Sequence, residues 1–260
     1  MKFPITCIMV VFNEEENIRK SLNSYLFCDQ VIVVDVGSHD NSKLIAEEMG
    51  VEVIQHEWTA IPEQTWPDIM YLVKNDWILI ADADEEFQYS LADRIARKII
   101  NNNDAIIYLP RQDSFLNKPV NGTAWGGISY VPKLFNKNRV QLDCLVHRPM
   151  SPLDNFPISR INGDKDTVII HHNGDNLLKL MKKLKRYYQL EGEARFKTGH
   201  RFAWFKWIYY DTYGCLKRNL FDLNGLNGGP REIFLSFILT WYELNSGISL
   251  RKYQMRKIKQ

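Results

Sequence analysis

Two aspartates with one residue between them, Asp82 and Asp84, are the side chains in this sequence whose spacing best suits chemistry. They directly follow residues 77–81, an apolar run that predicts a buried strand. Magnesium and manganese ions take carboxylate oxygens as ligands and keep other positions open for phosphate oxygens. An ion held here could therefore neutralise a diphosphate as a bond to it breaks. The same acidic turn, continued by Glu85 and Glu86, could instead cap the start of a helix.

Polar residues follow two further predicted strands. Residues 5–12 form the first apolar run and lead into Asn13 and Glu14, and residues 30–35 end at Asp35. The carboxyl ends of parallel strands meet at one edge of a sheet, where ligands bind, so we expect these side chains to lie near the aspartate pair. The turn after Asp35 is rich in Gly, Ser, Asp and Asn. This turn could therefore cap the next helix instead of binding a ligand. No dinucleotide fingerprint and no Walker loop is present.

The order of the predicted elements is that of a doubly wound α/β fold. Residues 111–168 predict loops and mixed strands over a sheet edge. Before them, strands are predicted over residues 5–12, 30–35, 51–55, 77–81 and 105–109, and helices over residues 13–25, 42–49, 63–73 and 91–100.

The C-terminal part of the chain differs in periodicity and in charge. From residue 176 the apolar residues follow helical spacing, with further helices at 202–220 and 230–244. Residues 1–175 carry a net charge of −9 and residues 176–260 one of +11, which together give the +2 of the chain. The sequence thus predicts a catalytic domain, residues 1–175, and a basic helical extension, residues 176–260.

Six aromatic residues are interleaved with two cations, Arg201 and Lys206, over residues 201–210 of this extension. Such a helix can lie at a membrane surface, with its rings at headgroup depth and its cations on anionic lipid. The alternative is that the rings pack the extension onto the rest of the protein. Residues 233–242, the most apolar stretch, are fewer than the ~20 that a spanning helix needs, so none is predicted. No nucleic-acid partner is expected, because no binding motif is found.

The cysteines favour a reducing compartment. The four of them are far apart and form neither a metal-ligand pattern nor a disulfide framework. The first residues predict a buried strand rather than a signal peptide, since acidic residues follow at once. We expect a cytoplasmic protein, peripheral on the inner face of the membrane if the extension is interfacial.

Three segments resemble, in order and spacing, the three motifs of family 2 glycosyltransferases with the GT-A fold. They are residues 10–18 (VVFNEEENI), 33–42 (VVDVGSHDNS) and 77–85 (WILIADADE). The resemblance covers residues 4–100. It implies a mostly parallel, Rossmann-like sheet flanked by helices, a nucleotide-sugar donor, and Mn²⁺ or Mg²⁺ as cofactor.

Site residues follow from this resemblance position by position. Asp35 would contact the nucleobase and Asp82 the ribose or the diphosphate. Asp84 would bind the metal, with Asp82 as a second ligand. The first motif would line the nucleotide site with Phe12, Asn13 and Glu14.

Further segments are similar to a bacterial subgroup related to lipopolysaccharide-core β-glucosyltransferases. This second resemblance implies a uridine-linked donor, inversion of the anomeric centre, and a bacterial surface glycan or lipopolysaccharide-type glycolipid as acceptor. The segments are residues 115–118, 133–137, 146–147 and 223–230.

The chain departs from that subgroup at three positions. Val36 stands where the subgroup often has a Ser after the base-binding Asp, and Lys133 stands where it often has an Arg. Arg148 follows His147 at the position where the subgroup often has a Glu. Inversion in one displacement needs a base for the acceptor hydroxyl, which Arg148 cannot be. Asp143 and His147 are the candidate catalytic residues, and Asp113 is a more distant one. The alternative for His147 is a structural or phosphate-contacting histidine, and the alternative for Asp143 is a solvated loop carboxylate. Lys133 and Arg148 would suit contacts to the diphosphate, or be solvated surface cations.

His171 and His172 are adjacent, which invites a metal-site interpretation. On a strand, neighbouring side chains point to opposite faces, so both rarely bind one ion. We therefore expect them to have roles in the core or in a loop.

Two other classes of function compete with a glycosyltransferase. A nucleotidyltransferase would carry a basic, glycine-rich loop after the first strand, where residues 13–16 are acidic. A catalytically silent nucleotide-binding homologue is favoured by Arg148 at the position of the expected Glu. Release of sugar from a donor would separate an enzyme from a silent homologue.

Overall fold

The structure, a computed structural model, describes residues 2–59, 61–100, 102–145 and 148–258, without the side chains of residues 144, 145, 148 and 149. The chain divides into two compact units. Unit 1 contains Met1–Arg111 and Ile128–His171, and unit 2 contains Gln112–Gly127 and His172–Gln260. These compact units do not define domains. The predicted boundary between a catalytic domain, residues 1–175, and a helical extension, residues 176–260, therefore stays a prediction.

Strands and helices alternate in the first half of the chain. The strands are β1 Phe3–Val11, β2 Cys28–Asp35, β3 Glu52–Gln55, β4 Trp77–Asp82, β5 Glu85–Phe87, β6 Ile106–Phe115, β7 Lys118–Pro119, β8 Ile128–Asn136, β9 Val140–Leu145, β10 Arg148–Pro152, β11 Ile158–Arg160 and β12 Ile169–Gly174. The α-helices are α1 Ile18–Tyr25, α2 Ser42–Glu48, α3 Trp66–Ile69, α4 Tyr89–Ile99, α5 Leu177–Lys197, α6 Cys215–Lys217 and α7 Pro230–Ile258. Short 3₁₀ helices, Pro62–Thr65 and Met70–Leu72, flank α3, and π-helical segments, Lys206–Gly214 and Arg218–Asp222, flank α6.

The larger sheet has the strand order β3-β2-β1-β4-β8-β6-β12-β5, with β7 and β11 also paired with β6. Strands β3, β2, β1 and β4 are parallel. In contrast, β8 runs antiparallel to β4, and β12 antiparallel to β5. The predicted GT-A-like α/β architecture is confirmed, and the sheet is mixed because the later strands include such antiparallel pairs.

Both faces of the parallel strands are buried. In β1, Cys7 and Met9 belong to one apolar cluster and Ile8 to another, as the alternation of side chains along a strand requires. Helices α1, α2 and α4 contribute to the first cluster and α3 to the second. Burial on both faces explains why these strands appear in the sequence as unbroken apolar runs.

Some elements differ from the sequence-based expectation near the predicted site. The acidic residues after the aspartate pair form strand β5 instead of a helix cap, and α4 begins at Tyr89. The first helix begins at Ile18 and not at residue 13, since Asn13 has a φ of 56°, which a right-handed helix does not allow. Strand β6 continues through Pro110 to Phe115.

Unit 2 is built around α5 and α7. Leu180 and Leu184 of α5 pack with Leu235 and Ile238 of α7. Helix α7 extends over 29 residues, well beyond its predicted end. By length and composition it could cross a membrane. Of its most apolar 18 residues, 39% are buried within the protein. The expectation that the chain has no transmembrane helix stays a prediction.

Candidate functional site

The aspartate pair lies at the carboxyl end of β4, as predicted. Asp82, the last residue of β4, is in register with Val10 of β1, and Val11 is in register with Asp35 at the end of β2. Asp84 follows in the turn to β5. The ends of three neighbouring parallel strands therefore meet at one edge of the sheet, which we call the rim.

Lys133 holds two acidic side chains of this turn. Since β8 pairs with β4, Lys133 Nζ lies 2.8 Å from Asp82 Oδ2 and 2.7 Å from Glu85 Oε2. The side chains of Lys133 and Glu85 are 9% and 0% exposed, whereas that of Asp82 is 43% exposed. Asp82 is thus fixed by a buried cation and remains accessible to a ligand.

Burial and opposite charge act against each other on these groups. Burial raises the pKa of the Glu85 carboxyl, and Lys133 offsets this only in part, so the pKa stays above its ordinary value. For Asp82, burial also raises the pKa, but the charge and hydrogen bond of Lys133, together with His171, leave the pKa below its ordinary value. Burial alone would lower the pKa of Lys133, whereas the two carboxylates raise it above its ordinary value. Lys133 is therefore a permanent cation at the rim.

Glu85 also faces a second cation. Arg111 Nη1 lies 3.6 Å from Glu85 Oε1. Within the described residues, no hydrogen bond reaches this oxygen. A side chain that contacts two cations and no solvent fixes those cations rather than binding a ligand. Sequence reasoning missed this role, because Glu85 and Arg111 are distant along the chain and the acidic turn suggested a helix cap.

His171 is the second residue that sequence reasoning missed. It lies in β12, in register with Glu85 of the antiparallel β5, and its Nε2 atom is 3.4 Å from Asp84 Oδ2. Its neighbour His172 instead contacts Asp175, with Nδ1 2.7 Å from Oδ2. The two histidines contact different carboxylates, as expected for neighbours on a strand. However, His171 lies at the rim and not in a purely structural position. The adjacent histidines were the signal in the sequence, because neighbouring side chains of one strand can reach two different sites.

Asp84 and His171 form a pair of ligands that a divalent cation could share. Among the residues that the structure describes, no three His, Cys, Asp or Glu side chains are grouped closely enough to hold a metal ion. The 3.4 Å between Nε2 and Oδ2 is near the ~3 Å expected between adjacent ligands of an octahedral ion with bonds of about 2.1 Å. Two protein ligands leave positions open for phosphate oxygens, so the pair fits a cation that binds together with its substrate.

The loops after β1 and β2 are tied together by hydrogen bonds. The N–H groups of Asn13 and Glu14 donate to Ser38 Oγ at 3.0 Å and Ser42 Oγ at 2.7 Å. In return, the His39 N–H donates to Asn13 Oδ1 at 2.8 Å. Asn13 is left-handed, a conformation that Asn tolerates better than most residues. These bonds make the two loops one preformed part of the rim.

Asp35 is shielded within this part of the rim. It is 1% exposed, and its carboxylate accepts from the Ser38 N–H at 3.2 Å and the Gln55 side-chain amide at 2.9 Å. A carboxylate can accept about four hydrogen bonds, so capacity for a further donor remains. Phe12 is 37% exposed, and its ring meets that of His39 edge-on, with centroids 6.3 Å apart.

Of the two predicted catalytic residues, Asp143 lies in the described part of the chain and belongs to another element. Asp143 lies half-buried in β9, which pairs with β10 in a separate two-stranded sheet. His147 and the side chain of Arg148 lie outside the described residues. Their roles stay predictions.

More than half of the chain matches a known protein family. Residues 6–151 match the profile of glycosyl transferase family 2. An uncharacterised glycosyltransferase of Rickettsia typhi is 26% identical over 247 residues, which is 85% of this chain and 80% of the relative. One of Rickettsia bellii is 37% identical over 93 residues, which is 35% of this chain and 31% of the relative.

Solved structures show a looser likeness. Residues 1–349 of TarS from S. aureus align with a TM-score of 0.49 at 14% identity, over 98% of this chain and 92% of TarS. A complex of the same fragment with UDP-GlcNAc gives 0.39 at 21% identity, over 44% and 35%. Glucosyl-3-phosphoglycerate synthase from Mycobacterium tuberculosis with Mn²⁺, UDP-glucose and phosphoglyceric acid gives 0.35 at 16% identity, over 43% of each chain. At these scores the likeness carries no argument about substrates.

Proposed function

The chain belongs to glycosyl transferase family 2, and we propose that it transfers a sugar, with inversion, from a uridine diphosphate sugar to a bacterial surface glycan or lipopolysaccharide-type acceptor. The observation that carries the proposal is the rim, where the ion pair of Asp82 with buried Lys133 lies beside the pair of Asp84 and His171. Oxygen ligands for a cation, with the fixed positive charge of Lys133 beside them, suit a leaving diphosphate. Negative charge develops on the diphosphate as the sugar departs, and the positive charges stabilise it.

Asp84 and His171 would hold the divalent cation, Mn²⁺ or Mg²⁺, with Asp82 as a further ligand. When bound, such a cation supplies positive charge to the diphosphate as the glycosidic bond breaks. Lys133 orients Asp82 and adds a permanent charge of its own. Because Glu85 keeps Lys133 in place, this arrangement needs no reorganisation during the reaction.

The loops after β1 and β2 would bind the nucleotide. The Asp35 carboxylate would accept the N–H of the uracil ring, using the capacity that Ser38 and Gln55 leave. The exposed ring of Phe12 would contact the nucleobase, and Asn13 and Glu14 would line the same site.

Inversion requires a base on the acceptor side. In the proposed step, the acceptor oxygen bonds to the anomeric carbon, the bond from that carbon to the diphosphate oxygen breaks, and the base takes the hydroxyl proton. We assign this base to Asp143 or His147. Arg148 would join Lys133 in contacting the diphosphate.

Peripheral membrane contact would bring unit 2 to a lipid-linked acceptor on the cytoplasmic side. Its π-helical region carries a group of large apolar and aromatic side chains that are each more than half exposed: Trp204, Phe205, Ile208, Tyr209, Tyr210 and Tyr213. The rings of Phe205 and Tyr209 stack on each other, with centroids 5.5 Å apart. Exposed apolar patches of this kind mark interaction surfaces, and the basic charge of the extension favours anionic lipid.

Release of UDP from UDP-sugars in the presence of Mn²⁺ tests the proposal. An active transferase hydrolyses its donor slowly without acceptor, and Asp84→Ala should abolish this release. A protein that binds UDP in Mn²⁺ but releases it from no UDP-sugar, with or without a glycan acceptor, would be the silent homologue instead. A protein that releases diphosphate from nucleoside triphosphates would be a nucleotidyltransferase.

A further inference from the structure

Unit 1 has a groove whose lining residues are not among those of the rim. Its volume is about 310 Å³, and it is lined by Tyr108 of β6, Tyr130 of β8, and Ile158, Ser159 and Arg160 of β11. Ligand sites usually start at roughly 300 Å³. The groove therefore suits one ring-sized group and is too small for a whole nucleotide sugar.

The groove is built on fixed strands. Strand β11 pairs in parallel with β6, with Arg160 opposite Tyr108. Ser159 Oγ donates to Asp104 Oδ2 at 2.6 Å, and Lys98 Nζ lies 3.3 Å from the same oxygen. Strand β11 is therefore held by its pairing with β6 and by the hydrogen bond from Ser159 to Asp104. The side chains that line the groove project from a fixed backbone.

Arg160 is held by stacking and keeps its hydrogen-bond donors available. Its guanidinium carbon lies 4.9 Å from the centroid of the Tyr130 ring. In the described part of the chain, no carboxylate and no hydrogen-bond acceptor engages this guanidinium. Stacking on a ring fixes the guanidinium plane without using its N–H groups, which match the geometry of phosphate and carboxylate. The groove thus presents an oriented anion-binding group.

The two tyrosines complete a surface that suits a sugar. Tyr108 and Tyr130 are half-buried, and within the described residues neither hydroxyl group makes a hydrogen bond. Ile158 is 49% exposed and adds apolar surface. Tyrosine combines an apolar ring with a polar tip, which matches a pyranose, with its C–H faces and its hydroxyl rim.

We propose that this groove is a binding subsite for an acidic sugar unit of the acceptor, a pyranose that carries a phosphate or a carboxylate. The proposal rests on the proposed glycosyltransferase function, because that function makes a glycan the expected occupant. The aromatic surface recognises the ring, and Arg160 recognises the acidic group.

The test is calorimetric titration of the full chain with three probes: glucose 6-phosphate, glucuronate and glucose. We expect at least one acidic sugar to bind at least tenfold more tightly than glucose, and the stronger of the two identifies the acidic group. Arg160→Gln should remove this preference, and Arg160→Lys should restore it only in part, since lysine keeps the charge but loses the stacked fork. The matched control is Arg97→Gln, a change at an exposed arginine of α4, which should leave binding unaltered.

Three results would overturn the subsite: equal affinity for acidic and neutral sugars, unchanged binding in Arg160→Gln, or inorganic phosphate binding as tightly as glucose 6-phosphate. The third would reduce the groove to an anion site without sugar recognition. Release of UDP from UDP-sugars is scored separately. If no UDP is released but the acidic sugar still binds, the proposed function is refuted and the subsite is retained. If UDP is released but no acidic sugar binds at the groove, only the subsite is refuted.

Discussion

Replacing Lys133 with methionine removes the buried cation that Asp82 and Glu85 share. The Glu85 side chain is 0% exposed. It would keep Arg111, at 3.6 Å, and the hydrogen bond from the Asp82 N–H, at 3.4 Å, but would lose the cation that lies closest to it. Removing one partner of a buried ion pair typically costs about 3–5 kcal/mol, and we expect a loss of that size in the free energy of unfolding near neutral pH.

The loss should depend on pH in a defined direction. The pKa of Glu85 is already above its ordinary value, and without Lys133 it rises further. A carboxyl with a raised native pKa stabilises the fold below its unfolded pKa of about 4.3 and loses that stabilisation as pH rises through the native pKa. The deficit of Lys133→Met relative to wild type should therefore be smaller at about pH 5 than at about pH 7.5.

Urea unfolding followed by circular dichroism measures both effects. The double variant Lys133→Met/Glu85→Gln removes both buried charges and should recover part of the loss, since the amide at position 85 needs no cation. Recovery is incomplete because Asp82 and Arg111 each still lose a charged partner. The control is Arg97→Met, because Arg97 and Asp93 are 76% and 48% exposed and such pairs contribute less than about 1 kcal/mol. A loss below about 1 kcal/mol in Lys133→Met, without pH dependence, would refute the buried ion pair.

Three further expectations concern the nucleotide, the base and the membrane. Asp35→Asn should weaken UDP binding at least about tenfold by calorimetry, because the acceptor for the base N–H loses its charge; unchanged affinity would remove that contact. Asp143→Asn and His147→Ala should each be assayed for turnover, and the base is the residue whose loss slows transfer without weakening UDP binding; normal rates in both would place it elsewhere. The change Phe205→Ser with Tyr209→Ser should reduce co-sedimentation with anionic vesicles but not with neutral ones, and equal sedimentation with wild type would leave the aromatic group without a lipid role.

The rim was predictable from the sequence because local pattern and topology agree there. Residues 5–12 and 77–81 are mostly apolar at successive positions, which is typical of a strand buried on both sides. Parallel pairing of such strands then places Asp35, Asp82 and Asp84 at one edge. None of these steps needs a contact between distant side chains.

The cationic half of the site was not predictable in the same way. Lys133 reaches Asp82 only because β8 adds to the sheet in antiparallel register, and residues 111–168 gave no clear strand pattern. Strand β5 has three residues, two of them acidic, so its pairing with β12 and the position of His171 depend on tertiary structure that overrides local preference.

The central claim is that Asp84 and His171 hold a divalent cation for the diphosphate of the donor. Calorimetric titration of UDP in Mn²⁺, and again in EDTA, tests it most directly. We expect binding of UDP in Mn²⁺ that weakens at least about tenfold in EDTA, and a similar loss in Asp84→Ala and His171→Ala while both variants stay folded. Equal UDP affinity in Mn²⁺ and in EDTA would contradict it.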